Sequence, residues 1–260
     1  MYRGSFAKNR GDHFGEIGYI LMINKRKCIF TVSGAVMTAA AVMFGAAFST
    51  ASPSSLKYPV FGVDVSNYQG DIDWQRLEEQ GVKFAFIKAT EGSGHVDESV
   101  AKNLENINKT NIAGSCYHFF SFDSAGETQA ENFIKSVDKE DIDLPPVVDI
   151  EYYGDKSSNK PTAEETEEIL SPLLEKLEEY YGVKPIIYTT VPVYYRYVCE
   201  KFSDYPLWIR CTQLEPDLLD WTFWQYSDKG TLDGYSGDEP CIDFNVFNGT
   251  EEEFNSCYVN

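Results

Sequence analysis

Two acidic side chains follow a short apolar stretch near the middle of the chain, in the segment LPPVVDIE at residues 144–151. Such a run of Val and Ile predicts a buried strand. Buried carboxylates are unfavourable unless they are paired, hydrogen-bonded or used in chemistry. Asp149 and Glu151 are two residues apart, so a strand directs both side chains to one face, with their Cα atoms about 6.5 Å apart. This spacing suits two carboxyl groups that act on one glycosidic bond. The alternative is an idle acidic loop.

Three further acidic residues lie at the ends of other predicted strands. Asp64 ends the apolar segment 58–65, Glu91 follows a second one, and Asp243 lies in the last one. In a barrel of parallel strands, the working residues lie at the C-terminal ends of the strands. Because closure makes the first and last strands neighbours, we expect Asp64 and Asp243 to approach each other beside Asp149 and Glu151. Independent surface acids have no reason to recur at this position, so the pattern favours an active site.

The elements that must position these acids alternate along the chain. Predicted strands at 58–65, 83–89, 112–120, 144–150 and 184–190 are each followed by a predicted helix, and strand-like segments at 205–210, 222–226 and 241–244 follow without full helices. Alternation of strand and helix predicts a parallel sheet. Eight strands within about 250 residues favour closure. The predicted fold class is therefore α/β, with a single TIM-like barrel.

Local signals predict where two of the helices begin. Ser124 with Glu127, and Thr162 with Glu165, have the spacing of a capping box, in which each member satisfies a backbone N–H of the other. Pro172 lies inside the second of these helices. We expect it to kink the helix or to make Ser171 a second helix start.

The first 51 residues differ in composition from the rest of the chain. Basic residues at 25–27 precede a mostly apolar run at 28–48, and small residues follow. This order is typical of a secretory signal, with cleavage after Ala51 and a translation start at Met22. The alternative is an uncleaved anchor, because the apolar run approaches spanning length. The predicted organisation is a signal or anchor at 1–51, a Ser/Pro linker at 52–57 and one catalytic domain at 58–260, outside the cytoplasm.

Charge and cysteine content exclude several classes of function. The 260 residues include 22 basic and 41 acidic ones, and the part after residue 51 has a net charge of -23, since six basic and two acidic residues precede it. Such acidity argues against binding to nucleic acid or an anionic membrane. No C-x-x-C motif occurs and the chain has only three His, so we expect no zinc site. We expect the five cysteines after the signal to be mostly buried thiols, with the pairings Cys199–Cys211 and Cys241–Cys257 left open.

Several sequence blocks together resemble the glycoside hydrolase family 25 lysozymes. They run in order across residues 58–249 and read GVDVS at 62–66, FAFIKATEG at 84–92, YHF at 117–119, PVVDIE at 146–151, LWI at 207–209, WQY at 224–226 and IDFN at 242–245. The resemblance implies a (β/α)5(β)3 barrel. It also implies hydrolysis of the β-1,4 bond between N-acetylmuramic acid and N-acetylglucosamine in peptidoglycan.

The same resemblance implies a role for each of the four acids. Glu151 is expected to be the general acid that protonates the leaving oxygen. Asp149 is expected to orient the 2-acetamido group of the sugar as an internal nucleophile, while Asp64 and Asp243 position the substrate and tune the pair. Clustered acids keep one carboxyl protonated, as an acid catalyst near neutral pH requires. The motif leaves open whether the anomeric configuration is retained or inverted.

Aromatic residues near the strand ends are candidates for sugar binding, because their rings offer flat apolar area. The predicted substrate contacts are Tyr117, Tyr188, Trp208 and Trp224, with core packing as the alternative for the two tryptophans. Glu91 either borders the cleft or is a turn acid.

Two neighbouring residues carry different expectations. His118 points away from Tyr117 along the same strand, which predicts a hydrogen-bonded core histidine. Arg210 stands where the family usually has a small residue, which puts the sugar contacts on that rim in question.

The predicted function is that of a secreted, monomeric peptidoglycan muramidase without metal, organic cofactor or protein partner. Three alternatives remain at this point. They are a carbohydrate-binding barrel that has lost catalysis, a glycosidase for another N-acetylglucosamine polymer such as chitin, and a metal-dependent hydrolase built on the carboxylate cluster.

Overall fold

The computed structural model describes residues 19–24, 27–32 and 57–258, and it divides the chain into two compact units at residues 45 and 46. In the first unit, strands β1 (Tyr19–Asn24) and β2 (Lys27–Val32) form an antiparallel pair. Most of the predicted signal or anchor at 1–51 lies outside the described residues. Within the described residues, no helix has the length and apolar character needed to cross a membrane.

Eight strands of the second unit close into a barrel. They are β3 (Phe61–Val65), β4 (Phe84–Glu91), β6 (Ala113–Phe119), β7 (Val147–Ile150), β8 (Ile186–Thr190), β9 (Leu207–Arg210), β10 (Phe223–Gly230) and β11 (Ile242–Phe247), while the short β5 (His95–Val96) pairs with the end of β4. Each barrel strand pairs with the next, and β11 returns to β3. Neighbours run parallel except at β11, which is antiparallel to both of its partners. The predicted α/β barrel is confirmed.

Helices follow the first five barrel strands. They are α1 (Trp74–Glu79), α2 (Val100–Ile107), α3 (Gly126–Ser136), α4 (Ala163–Tyr181) and α5 (Val191–Val193), which continues into one π-helical turn at Tyr194–Val198. No crossover helix joins β9, β10 and β11 in this part of the chain, and a final helix, α6 (Glu251–Tyr258), follows β11. The sequence analysis did not predict α6.

The helix starts agree with one of the two predicted capping boxes. Thr162 and Glu165 cap α4 reciprocally, as predicted. The prediction for Ser124 and Glu127 is wrong, because α3 begins at Gly126 without a side-chain cap. The predicted second start near Pro172 is also wrong, since α4 runs on as one helix through it. Packing explains the start of α3: a Cβ on Gly126 would lie 2.0 Å from the backbone oxygen of Ile169 in α4, so only glycine allows this approach.

The interior of the barrel is packed mainly with aromatic rings. The rings of Phe86 and Trp208 lie 4.3 Å apart between centroids, and Phe223 packs edge-on against Phe86 at 5.2 Å. At the N-terminal end of the strands, Phe254 and Tyr258 of α6 pack against this core. The half of the barrel at the N-terminal ends of the strands is therefore filled with side chains, as in other closed barrels of this size. The polar groups lie at the C-terminal ends of the strands.

The five described cysteines are all free thiols, so neither pairing left open by the sequence is formed. Cys116 and Cys199 are buried, Cys211 and Cys241 are half-buried, and Cys257 is exposed. The expectation of mostly buried thiols therefore holds for only two of them.

Candidate active site

All four predicted catalytic acids meet at the C-terminal end of the barrel. They line one cavity of about 110 Å³ together with Tyr117, Tyr188, Trp208 and Gln225. Asp64 on β3 stands directly opposite Asp243 on β11 in the strand pairing. Asp149 lies in β7, and Glu151 is the first residue after it. Strand alternation and barrel closure thus bring together the residues that the sequence placed at strand ends.

An amide side chain bridges the two acids of β3 and β11. Gln225 on β10 donates from Nε2 to Oδ2 of Asp64 at 2.9 Å and to Oδ2 of Asp243 at 3.0 Å. The hydroxyl of Tyr188 donates to Oε1 of Gln225 at 2.9 Å, which fixes the orientation of the amide. Gln225 is buried, so this bridge is shielded from competing water.

A second amide reaches the same oxygen of Asp64. Asn245 on β11 donates from Nδ2 to Oδ2 of Asp64 at 2.7 Å, and the indole Nε1 of Trp208 donates to Oδ1 of Asn245 at 2.8 Å. The sequence analysis missed both Asn245 and Gln225 as site residues. Strand alternation was the signal available for Asn245, since it lies two residues after Asp243.

Asp149 is buried with only 6% of its surface exposed. Its Oδ1 has no hydrogen-bond partner among the described residues. Burial raises the pKa of Asp149 well above its usual range, and the charges of Glu151 and Asp64 raise it further. A buried carboxyl oxygen without a hydrogen-bond partner is unfavourable in the folded protein. It is therefore an acceptor available to an N–H or O–H group of a ligand.

Glu151 is half-buried, so its carboxyl is reachable from the cavity. Burial raises its pKa, the charge of Arg210 lowers it, and Asp64 raises it again. The net effect is a raised pKa. A raised pKa favours the protonated form, from which Glu151 can donate its proton to a bound ligand.

The carboxyls of Asp64 and Asp243 share a site that holds a proton. Burial raises the pKa of Asp243 to about 8, and the charges of Asp64 and Asp228 contribute. Burial also raises the pKa of Asp64, although the hydrogen bonds from Asn245 and Gln225 oppose this. Two adjacent carboxylates do not ionise together easily, so this pair keeps a proton near neutral pH.

Two ion pairs place cations beside the acid cluster. Lys88 Nζ lies 2.9 Å from Glu91 Oε2, and Arg210 Nη2 lies 2.6 Å from Asp228 Oδ2. Lys88 and Arg210 both lower the pKa of Glu151. Glu91 faces Lys88 and does not line the cavity, whereas Arg210, which the sequence noted only as a departure, acts electrostatically on the acids.

The predicted sugar contacts divide into two groups. Tyr117, Tyr188 and Trp208 line the cavity, although Tyr188 and Trp208 are almost fully buried and expose little of their rings. Trp224 lies on the opposite face of β10 from Gln225. Its indole donates to the backbone oxygen of Cys211, and its ring packs against other aromatic rings, so the structure does not bring Trp224 to this cavity.

His118 is a buried, hydrogen-bonded histidine, as predicted. Its Nδ1 lies 2.7 Å from Thr90 Oγ1 and its Nε2 lies 3.0 Å from Gln129 Oε1. Burial lowers the pKa of His118 to about 4. Its side chain lies on the outer face of the barrel and does not line the cavity.

The chemistry of the cavity is that of carboxyl groups. Between residues 57 and 258, no three or more His, Cys, Asp and Glu side chains are arranged to hold a metal ion. The arrangement offers one half-buried acid with a raised pKa, one buried carboxyl group with an unpartnered oxygen, and a proton-sharing pair.

Comparisons with known proteins agree with this arrangement. The model of the glycosyl hydrolases family 25 matches residues 63–235. A solved family 25 glycosyl hydrolase from Bacillus anthracis is 51% identical, with a TM-score of 0.72 over 76% of this chain and 93% of that one. The protein YegX from Escherichia coli O157:H7 is 39% identical over 75% of this chain and 72% of its own length. Lysozyme M1 from Streptomyces globisporus is 30% identical over 74% of this chain and 68% of its own.

Proposed function

From the membership of this chain in glycosyl hydrolase family 25, which makes it a glycoside hydrolase, we propose that it is a lysozyme acting on peptidoglycan. The bond cleaved is the β-1,4 bond between N-acetylmuramic acid and N-acetylglucosamine. The similar proteins include lysozyme M1 and the autolytic lysozyme of Clostridium acetobutylicum, which supports this substrate.

The free acceptor oxygen of Asp149 carries the proposal. A sugar with a 2-acetamido group has an N–H that can donate to Oδ1, the oxygen that no described protein group satisfies. A hydrogen bond there orients the acetamido oxygen for attack on the anomeric carbon of the same sugar. The developing positive charge is stabilised by the nearby carboxylates, and the attack makes the sugar its own nucleophile.

Glu151 supplies the proton in this mechanism. Its carboxyl transfers a proton to the glycosidic oxygen as the bond to the anomeric carbon breaks, so the leaving sugar departs as a neutral alcohol. The attack of the acetamido oxygen leaves a cyclic intermediate on the sugar. Water then opens this ring, and the ionised carboxylate of Glu151 takes a proton from that water. Asp64 and Asp243, held by Gln225, keep the negative potential around the reacting sugar fixed.

The test is a digest of purified peptidoglycan by the purified protein, followed by borohydride reduction and mass spectrometry. We expect reduced muramic acid at the new ends. Glu151→Gln should lower the rate by about 10²–10⁴-fold with folding and sugar binding retained. Glu179→Gln, which alters an exposed acid of α4 outside the cavity, is the matched control.

Other results of this digest would point to the other candidate functions. Reduced glucosamine ends would keep the reaction class and change the bond. Cleavage of chitin in preference to peptidoglycan would change the polymer. Wall binding without new reducing ends would favour a carbohydrate-binding barrel, and normal turnover by Glu151→Gln would overturn the acid assignment.

The proposal includes export, because peptidoglycan lies outside the cytoplasmic membrane. Basic residues followed by an apolar run and small residues at 25–51 support a secretory signal. N-terminal sequencing of the protein recovered from the medium should give a start near Ser52. Retention in the membrane fraction with the intact N-terminus would instead show an anchor.

A further inference from the structure

A second cavity of about 270 Å³ adjoins the one that holds the four acids. The two cavities share the side chains of Asp64, Tyr117 and Asp243. The second is also lined by Tyr68 and by the carboxylates of Asp228 and Glu239. A glycan chain that places one sugar against Asp149 therefore has a continuous path into this neighbouring space.

Tyr68 is the most exposed aromatic side chain along this path, with 65% of its surface accessible. In the part of the chain that the structure describes, no other ring packs against it. Single exposed apolar residues are common on protein surfaces, so exposure alone assigns no function to Tyr68. Its position on the wall of a cavity that continues from the catalytic acids sets it apart from other exposed residues.

The backbone that carries Tyr68 is held rigidly. It lies in a single 3-10 turn at Asn67–Gln69, where Ser66 and Gln69 cap each other reciprocally. The backbone oxygen of Tyr68 accepts a hydrogen bond from the amide of Glu239 at 3.2 Å, and that of Gln69 accepts one from Gly237 at 2.8 Å. An exposed ring on a fixed turn can bind a ligand with little loss of conformational entropy.

Close packing fixes this turn against the segment that bears Glu239. A Cβ on Gly237 would lie 1.9 Å from the backbone oxygen of Tyr68, and Gly70 adopts a φ of 64° to turn the chain away. Only glycine at these two positions allows the two segments to touch. The ring of Tyr68 and the carboxylate of Glu239 are thereby presented together on one wall.

We propose that Tyr68 is a stacking platform for an additional pyranose ring of the glycan chain, adjacent to the sugar held by the catalytic acids. The apolar face of the sugar packs on the phenol ring, and the sugar hydroxyls donate to Glu239 and Asp228. This inference rests on the proposed function, since it assigns a further sugar-binding position to the same cleft. The ligand class is a β-linked N-acetylhexosamine chain.

The experiment measures binding, so that it does not depend on turnover. Soluble peptidoglycan glycan fragments are titrated into the Glu151→Gln protein by calorimetry, with Tyr68 intact, Tyr68→Phe or Tyr68→Ala. We expect Tyr68→Ala to raise Kd by about threefold to tenfold, and Tyr68→Phe to leave it within about twofold. Tyr180→Ala, which removes a tyrosine of α4 that is 39% exposed, is the matched control and should not change Kd.

Each result decides the inference. Unchanged affinity in Tyr68→Ala overturns it, and so does undetectable binding by the protein with Tyr68 intact. An equal loss in Tyr68→Phe would assign the contact to the hydroxyl and overturn the stacking. Cleavage of the same fragments by the protein with Glu151 intact is scored separately, so a protein that binds through Tyr68 without cleaving would refute the lysozyme proposal alone.

Discussion

Asp64 and Asp243 face each other across the antiparallel pairing of β3 and β11, and one amide group, that of Gln225, donates a hydrogen bond to both. The bridge holds two half-buried carboxyls together. Burial raises the pKa of both, to about 8 for Asp243. The folded protein therefore keeps a proton that the unfolded chain releases above about pH 4.

Asp243→Asn should make the protein more stable and less active. Between pH 4 and pH 8 the folded state binds more protons at this position than the unfolded state, so the stability contributed by Asp243 falls as pH rises through this window. Asparagine mimics the protonated carboxyl and removes that penalty. We expect a gain of at least about 1 kcal/mol in the free energy of unfolding at pH 7, measured by urea denaturation, together with a lower kcat/KM.

The gain should fall as pH drops through 4 and disappear near pH 3, below the pKa of Asp243 in both states. Asp238→Asn, which alters an exposed acid, should change the free energy of unfolding by no more than about 0.5 kcal/mol at either pH. A loss of stability in Asp243→Asn at pH 7 would contradict the raised pKa.

Arg210 and Asp228 should shift the pH dependence of turnover in opposite directions. The guanidinium of Arg210 favours the ionised form of Glu151. A general acid must be protonated, so Arg210→Met raises the pKa of Glu151 and moves the alkaline limb of the kcat/KM profile to higher pH. Asp228→Asn leaves the charge of Arg210 without its partner and should move that limb to lower pH.

The double variant should lie between the two single ones, because it removes both charges. Both side chains are partly exposed, so the shifts should shrink as the salt concentration rises. Lys176→Met, which removes a cation paired with Glu131 on the outer helices, should leave the profile in place. Shifts of the same sign in the two single variants would exclude this electrostatic role.

Much of the fold followed from the sequence because its signals are local and repeated. Apolar strands that alternate with amphipathic helices indicate the barrel, and Thr162 with Glu165 marks a helix start by side-chain chemistry alone. The start of α3 could not be predicted in this way, since it depends on contact with α4. Ser124 and Glu127 have the spacing of a capping box, but α3 begins at Gly126, where it approaches α4 closely. No local sequence pattern predicts this contact.

The candidate site was predictable where it depends on strand ends and was missed where it depends on distant contacts. Asp64 and Asp243 could be paired from barrel closure alone. The bridging role of Gln225 needs the register between β10 and β11, and that pairing contains irregular steps. Trp224, one residue before Gln225, lies on the other face of the strand because successive side chains alternate. Composition shows that an aromatic residue is present, but it does not show whether its ring faces the cavity.

Gly126→Ala should destabilise the protein through backbone contact. The new Cβ would lie 2.0 Å from the oxygen of Ile169 and 2.9 Å from the nitrogen of Leu173, and neither backbone atom can rotate away. We expect a loss of about 1–3 kcal/mol in the free energy of unfolding, measured by urea denaturation. Gly94→Ala is the control, because its Cβ would meet no atom within 4 Å. Equal stability of the two variants would show that α3 and α4 separate without penalty.

His118 should make the stability of the protein decrease as pH falls from about 6.5 to about 4. Burial lowers the pKa of His118 from 6.5 to about 4, so the unfolded state binds more protons in this window and stability rises with pH. One pKa unit corresponds to about 1.4 kcal/mol, and the full effect is about 3 kcal/mol.

The measurement is the free energy of unfolding at several pH values for the wild type, His118→Asn and His95→Asn. The acid cluster contributes equally to all three proteins, so the difference between wild type and His118→Asn isolates the histidine and should shrink as pH falls. His95→Asn, which alters an exposed histidine, is the matched control. A difference between wild type and His118→Asn that stays constant between pH 4 and pH 7 would mean that His118 titrates alike in the folded and unfolded states.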